Sequence, residues 1–285
     1  MSTKLAVPDQ EFALVPVTDP RRIQRRWLSV VAGGHVSGVT WGNPPIQTVL
    51  LHDAGRSARS FDRLLFALDR PALALDLPGH GRSNWRNGGD YAPRRLAGAT
   101  AEAIRSFAPA ARLVVGAGLG ALTAIALTIR RPEQVGALVL LDTLPGSGVG
   151  PVPSDSPRYA SQEEALDELR RIRPEEAEAD LADDVRYETA QEPDETWAWR
   201  HHLGNLPADA AGNLDDATLW EPLAALAARQ IPVVLVRPAE GGRLSDEAVA
   251  EFRRRVPTAD VVAAGEPELP QLLRDLLDQI QRSTV

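Results

Sequence analysis

Residues 113–121 read LVVGAGLGA, an apolar run that closes on Gly116, Gly118, Gly120 and Ala121. A GxGxxA spacing between a strand and a helix lets backbone N–H groups approach a dinucleotide pyrophosphate. Asp142, after the next apolar run, stands where a ribose-binding carboxylate would. The same glycines also suit a strand-to-helix turn that needs positive φ or close backbone packing and holds no ligand. Taken alone, the pattern leaves both readings open.

Other residues could move protons. His52 and Asp53 follow the apolar segment 47–51, and His80 sits in LDLPGHGRS over 75–83. With Asp142 these are candidate acid/base groups, although histidines in such loops commonly brace turns through hydrogen bonds. Ser57 and Ser83 offer hydroxyls without an evident base and read as loop caps. His201 and His202 are adjacent, so their rings point apart, and no HExxH or spaced carboxylate accompanies them; no metal site is expected. The absence of cysteine excludes disulfides, thiolate ligands and a thiol nucleophile. Trp197 and Trp199, two apart, face one side if they lie on a strand. There they either line a hydrophobic pocket or pack an insertion down.

The elements that must position these groups follow from periodicity. Segments 27–31 and 36–41 read as two strands joined by the Gly33-Gly34 turn, and 47–51 reads as a buried strand. Strands at 72–75, 113–115 and 137–141 then alternate with helices near 94–106 and after Leu119, the pattern of a parallel sheet covered on both faces. The rhythm stops at Leu144-Pro145-Gly146, giving a candidate helical cap over 145–228 within a single domain spanning 1–285. It resumes with a strand at 232–236, a helix near 246–255, a strand at 260–263 and a helix over 269–280.

The whole chain sets limits. Its 285 residues are 44% hydrophobic and 25% charged, with no apolar run long enough to span a bilayer. The net charge of −8 disfavours nucleic-acid phosphates, and much of the excess lies in 161–195, read as the solvated face of the insertion. Arg21, Arg22, Arg25 and Arg26 precede an apolar stretch that is short and broken by glycine, which is no signal peptide, so a cytoplasmic protein is expected.

Four segments in order, LLHDAGRS at 50–57, LDLPGHGRS at 75–83, VVGAGLG at 114–120 and LVLLD at 138–142, resemble the α/β-hydrolase family. WAWR at 197–200, LVR at 235–237 and LSD at 244–246 look like segments of its actinobacterial esterases. The likeness runs from about Trp27 onward and outweighs the dinucleotide pattern, because several ordered motifs are more specific than one glycine turn. It implies an α/β fold with a mostly parallel sheet, flanking helices and a helical cap insertion. It also implies a GxSxG elbow that presents a serine, a histidine in a turn after the last strand, and an oxyanion hole built from two backbone N–H groups.

Here the chain departs from the pattern. The elbow position is Gly118, which offers no nucleophilic atom, and all five histidines precede the last two strands. The segment VVAAG at 261–265 runs straight into EPELP. Asp142 is the residual acid that the resemblance implies, with Glu240 as the alternative placement. The oxyanion donors would be the N–H groups of Leu119 and Ala54, and Asp53 replaces the usual glycine beside them; turned inward, it would oppose a developing oxyanion. The expectation is a fold of esterase ancestry without serine hydrolysis and without a cofactor. Its pocket, lined by Ala54, Leu119, Trp197 and Trp199, would take a small apolar ester, lactone or acid. The alternative is a hydrolase or lyase that activates water or moves a proton through His52, His80, Asp53 or Asp142. The sequence indicates no protein partner.

Overall fold

The structure, a computed structural model, describes residues 23–31, 34–154, 158–207, 212–239 and 241–283. It opens with an antiparallel pair, β1 (Ile23–Ser29) and β2 (His35–Trp41). The sheet continues through β3 (Thr48–Leu51), β4 (Ala72–Asp76), β5 (Leu113–Ala117) and β6 (Ala137–Leu141). After an insertion that contains the short pair β7 (Thr189–Gln191) and β8 (Trp197–Trp199), it is completed by β9 (Val233–Arg237) and β10 (Asp260–Ala263). The eight strands run β1-β2-β4-β3-β5-β6-β9-β10, and every pairing from β4 to β10 is parallel.

Strand alternation divides the apolar side chains between two cores. Val49, Leu51, Leu73, Leu75 and Val114 face α2 (Pro93–Phe107), α3 (Leu119–Arg130) and α7 (Asp246–Arg255), while Leu50, Ala74, Leu113 and Val115 face α1 (Asp62–Leu68) and α8 (Leu269–Ser283). Both faces are covered, and the inner strands accordingly read as continuous apolar runs. Local signals set the helix starts. Ser245 accepts a hydrogen bond from the Ala248 N–H, and Asp246 and Glu247 open α7 while three arginines close it, complementing the helix dipole. Pro93 begins α2, where its missing N–H costs nothing.

The expected strand at 27–31 lies earlier, at Ile23–Ser29. All seven residues of β2 find partners there, from Ser29 opposite His35 back to Ile23 opposite Trp41. Of the expected turn, Gly34 is described, with φ of 79°, and Gly33 lies outside the described residues.

The insertion between β6 and β9 contains α4 (Gln162–Ile172), α5 (Glu178–Glu188), the β7–β8 pair and α6 (Trp220–Ala228). It has a small core of its own, in which Tyr159, Leu166, Leu169, Leu181, Val185 and Trp199 pack together. Leu223 and Leu226 of α6 instead join the sheet core, so α6 returns the chain to the main body. Polar latches hold the cap down: Arg56 pairs with Asp184 at 2.7 Å and with Glu176, and Ser57 donates to Glu188 at 2.7 Å. Among the described residues, no helix is long and apolar enough to cross a membrane.

Candidate functional site

The centre of the site is the turn from β5 into α3. Gly118 adopts φ 49° and ψ −121°, and its N–H donates to the Thr143 hydroxyl at 2.9 Å. A Cβ on Gly120 would fall 2.1 Å from the Leu51 carbonyl oxygen, so close packing of α3 on β3 requires that glycine. The GxGxxA spacing therefore has a packing cause. A Cβ on Gly118 meets a different obstacle: it would lie 1.6 Å from Oδ1 and 1.8 Å from Cγ of Asp53. The Asp53 carboxylate fills the space that a side chain at 118 would enter.

Asp53 is held there by four donors. Its Oδ1 accepts from the N–H of Ala54 at 2.7 Å and of Leu119 at 2.9 Å. These are the two backbone groups that the sequence singled out as oxyanion donors. Its Oδ2 accepts from the Gly150 N–H and from Arg243 Nη1, both at 3.0 Å. Charge-assisted bonds of this kind are about twice as strong as neutral ones. The carboxylate thus points inward and occupies the donors itself.

Arg243 organises the far side. It reaches in from the loop between β9 and α7, its Nη2 lies 3.3 Å from the Thr143 hydroxyl, and its N–H donates to Asp142 Oδ2 at 2.5 Å. Asp142 sits at the end of β6 with φ 41°, and its Oδ1 is buried without a hydrogen bond. Asp142 therefore anchors the loop that carries Arg243. Sequence reasoning missed Arg243, Thr143 and Gly150. The available signal was charge: an inward carboxylate at 53 requires a cation, and Arg243 follows Gly241-Gly242 in a loop that can approach the elbow.

The histidines are tied into loops. His52 is fully buried, with Nδ1 donating to the Asp53 carbonyl at 2.7 Å while Nε2 accepts from the Leu77 N–H at 2.9 Å. Both nitrogens are engaged, and burial lowers its pKa, so the ring stays neutral. His80 is equally buried. Its Nδ1 faces the Pro78 carbonyl at 3.2 Å, Nε2 has no hydrogen-bond partner, and burial with His52 and His201 nearby holds its pKa well below the usual imidazole value. His201 accepts from the Gly204 N–H through Nδ1, and His202 pairs with the Tyr91 hydroxyl and stacks on Trp85. After β10, the Gly265 N–H donates to Glu268 and the chain enters α8, with no imidazole in that turn. Glu240 lies outside the described residues.

The two candidate hydroxyls are caps. Ser57 donates to Glu188 and accepts from the Arg59 N–H, and Ser83 donates to the Asp76 carbonyl and accepts from the Ser37 N–H.

Two cavities lie along the seam between cap and sheet. One, of 720 Å³, is bounded by α1, α5 and the turn before α8, with Arg56, Arg63, Asp180, Asp183, Glu188 and Glu266 among its walls. Burial, with Asp184 adding to it, pushes the Glu188 carboxyl up to about 8. The other, of 350 Å³, lies beneath β7 and β8. Neither is lined by Asp53, Ala54, Gly118 or Leu119. The seam places charged side chains on the walls of these two cavities, and the two tryptophans part company. Trp197 lines the smaller cavity, while Trp199 is buried in the cap core and its Nε1 donates to the Tyr159 hydroxyl.

Comparison with known proteins agrees with this architecture. A model of the alpha/beta hydrolase family matches residues 48–273. The esterase Rv0045c of Mycobacterium tuberculosis is 33% identical over 237 residues, which cover 79% of this chain and 76% of that protein. Its crystal structure superposes with a TM-score of 0.75 at 28% identity, covering 98% of this chain and 100% of the other. The lipase LipV of the same organism is 35% identical over 131 residues, covering 42% of this chain and 48% of that protein.

Proposed function

The chain belongs to the alpha/beta hydrolase family, and from that premise we propose that it is a member of esterase ancestry that no longer performs serine hydrolysis. One observation carries the reading: the Asp53 carboxylate occupies both oxyanion donors and the space above Gly118. Acyl transfer needs an atom to attack the carbonyl carbon and a site that stabilises the oxygen as it gains charge. Glycine at 118 supplies no such atom. A substrate carbonyl would have to displace a carboxylate held by four hydrogen bonds, each worth about 1.5–3 kcal/mol when one partner is charged. The same carboxylate would repel the developing oxyanion. The site instead resembles the hydrolytic one with its anion permanently supplied from within.

The retained fold serves as a binding scaffold for a small molecule of ester, lactone or acid type, since a fold outlives the chemistry grafted onto it. Water activation by His52 or His80 has less support, because His52 spends both nitrogens on backbone groups and His80 is sealed from solvent. Incubation of the purified chain with acetate, butyrate and hexanoate esters of p-nitrophenol tests the reading. No release of nitrophenolate above buffer is expected; saturable turnover abolished by Asp53→Asn would sink it and make Asp53 a participant.

A further inference from the structure

The cap rests on the body through a row of aromatic rings. His201 and His202, between β8 and α6, meet the segment between β4 and α2 that carries His80, Trp85 and Tyr91. The His202 N–H donates to the Gly79 carbonyl at 2.8 Å. His80 and His201 are both buried, with ring centres 6.3 Å apart. Hydrogen bonds fix which nitrogen of each ring carries the proton. His201 Nδ1 accepts from the Gly204 N–H, so its proton sits on Nε2, whereas His80 Nδ1 faces the Pro78 carbonyl, so its proton sits there and Nε2 is bare. Both Nε2 atoms are buried without a hydrogen-bond partner. A second proton on His201 would enter Nδ1 and set two donors against each other at Gly204. On His80 it would enter Nε2 and bury a charge that no acceptor meets.

We propose that His80 and His201 form an acid-released joint between cap and body, closed while both rings are neutral and opened as they take up protons. The groups around the pair oppose a charge on either ring. His52, from the loop after β3, lies 5.1 Å from His80 between ring centres, and Tyr91 lies 6.2 Å from it. Trp199 stacks on His201, and Arg173 at the end of α4 and the neighbouring His202 repel a charge there. Asp53 and Asp76 favour a proton on His52, but that ring is tied within the body to the Asp53 carbonyl and the Leu77 N–H. Lifting the cap wets His80 and His201 and returns them towards 6.5, so opening takes up protons at acid pH and the closed cap loses stability as pH falls below that value. Across the same seam burial raises Glu188 and Asp184 of α5, and these act with the opposite sign. The inference concerns the seam and stands whether or not hydrolysis has been lost.

Amide hydrogen exchange of the full chain, expressed as protection factors at about pH 7.5 and about pH 5.5, tests it. The readout is the ratio of the first factor to the second in α4, α5 and the β7–β8 pair, compared between proteins so that Glu188 and Asp184 cancel. Asparagine places an amide where Nδ1 lies, so it keeps the bond to Gly204 or Pro78 and cannot take a proton. A ring that returns to 6.5 on opening contributes about tenfold to this ratio. His201→Asn should therefore lower the ratio about tenfold, and His80→Asn/His201→Asn about a hundredfold. If the double variant does not fold, the two single variants carry the comparison, each at about tenfold. A ratio that these substitutions leave intact, or a change of the same size in β5 and β6, overturns the proposal.

Discussion

Asp53 and Gly118 act as one unit. A side chain at 118 and a carboxylate from 53 compete for the same volume, so each residue is tolerable because of the other. Gly118→Ser in the wild-type background should therefore destabilise the fold. Asp53→Gly should also destabilise it, by leaving the Ala54 and Leu119 N–H groups without an acceptor and Arg243 without its carboxylate. Each single change is expected to cost about 1–3 kcal/mol. The double variant should cost at least about 1 kcal/mol less than the sum, because removing Asp53 makes room for the serine. Urea denaturation of the four proteins measures this coupling; strict additivity would show that the two residues do not meet. The sequence displayed both substitutions but not their connection. The direction of the Asp53 side chain depends on Arg243, which is 190 positions away and joins it only through tertiary packing.

At the scale of elements, alternation of apolar runs with helical patterns made the parallel sheet legible, because strands buried on both faces leave a strong compositional trace. The β1–β2 hairpin was harder to place. Its first strand is half-exposed and charged, with Gln24, Arg25 and Arg26 inside it, so propensity pointed to the more apolar segment downstream. The cap was visible as an acidic break in the rhythm, but its seam was not, because ion pairs across it depend on three-dimensional placement. The cap's small core makes a local prediction. Trp199→Phe removes the bond to Tyr159 and should cost about 1 kcal/mol, and Trp199→Ala about 3–5 kcal/mol. Hydrogen exchange should accelerate across the cap helices and the β7–β8 pair while β3, β5 and β6 stay protected. Equal acceleration in the sheet would show that cap and body unfold as one unit.

Across the whole molecule, stability should depend on pH through groups buried in an uncharged form. Glu188 is pushed up to about 8 from 4.5 by burial, then by Asp184 and Asp76. Above 4.5 the unfolded chain gives up this proton while the folded protein retains it, so stability falls as pH rises and levels off above about 8. Glu188→Gln should remove that decline and raise the urea midpoint at alkaline pH, with little change below 4.5. An unaltered pH profile would place Glu188 in contact with water. His201 works at the opposite end: burial, Arg173 and His202 hold it down to about 3, so stability is lost as pH falls from 6.5 towards that value.

The general architecture followed from sequence because burial patterns are periodic. The Asp53 carboxylate that bridges the Ala54 and Leu119 N–H groups did not, because its placement is a matter of a few ångströms between loops. Serine hydrolysis requires a nucleophile that a covalent inhibitor can capture. Intact-mass spectrometry after incubation with an excess of a fluorophosphonate reads this directly. An unmodified mass is predicted, whereas a stoichiometric adduct on Ser57, on Ser83 or on a residue beside the elbow would contradict the loss of serine hydrolysis.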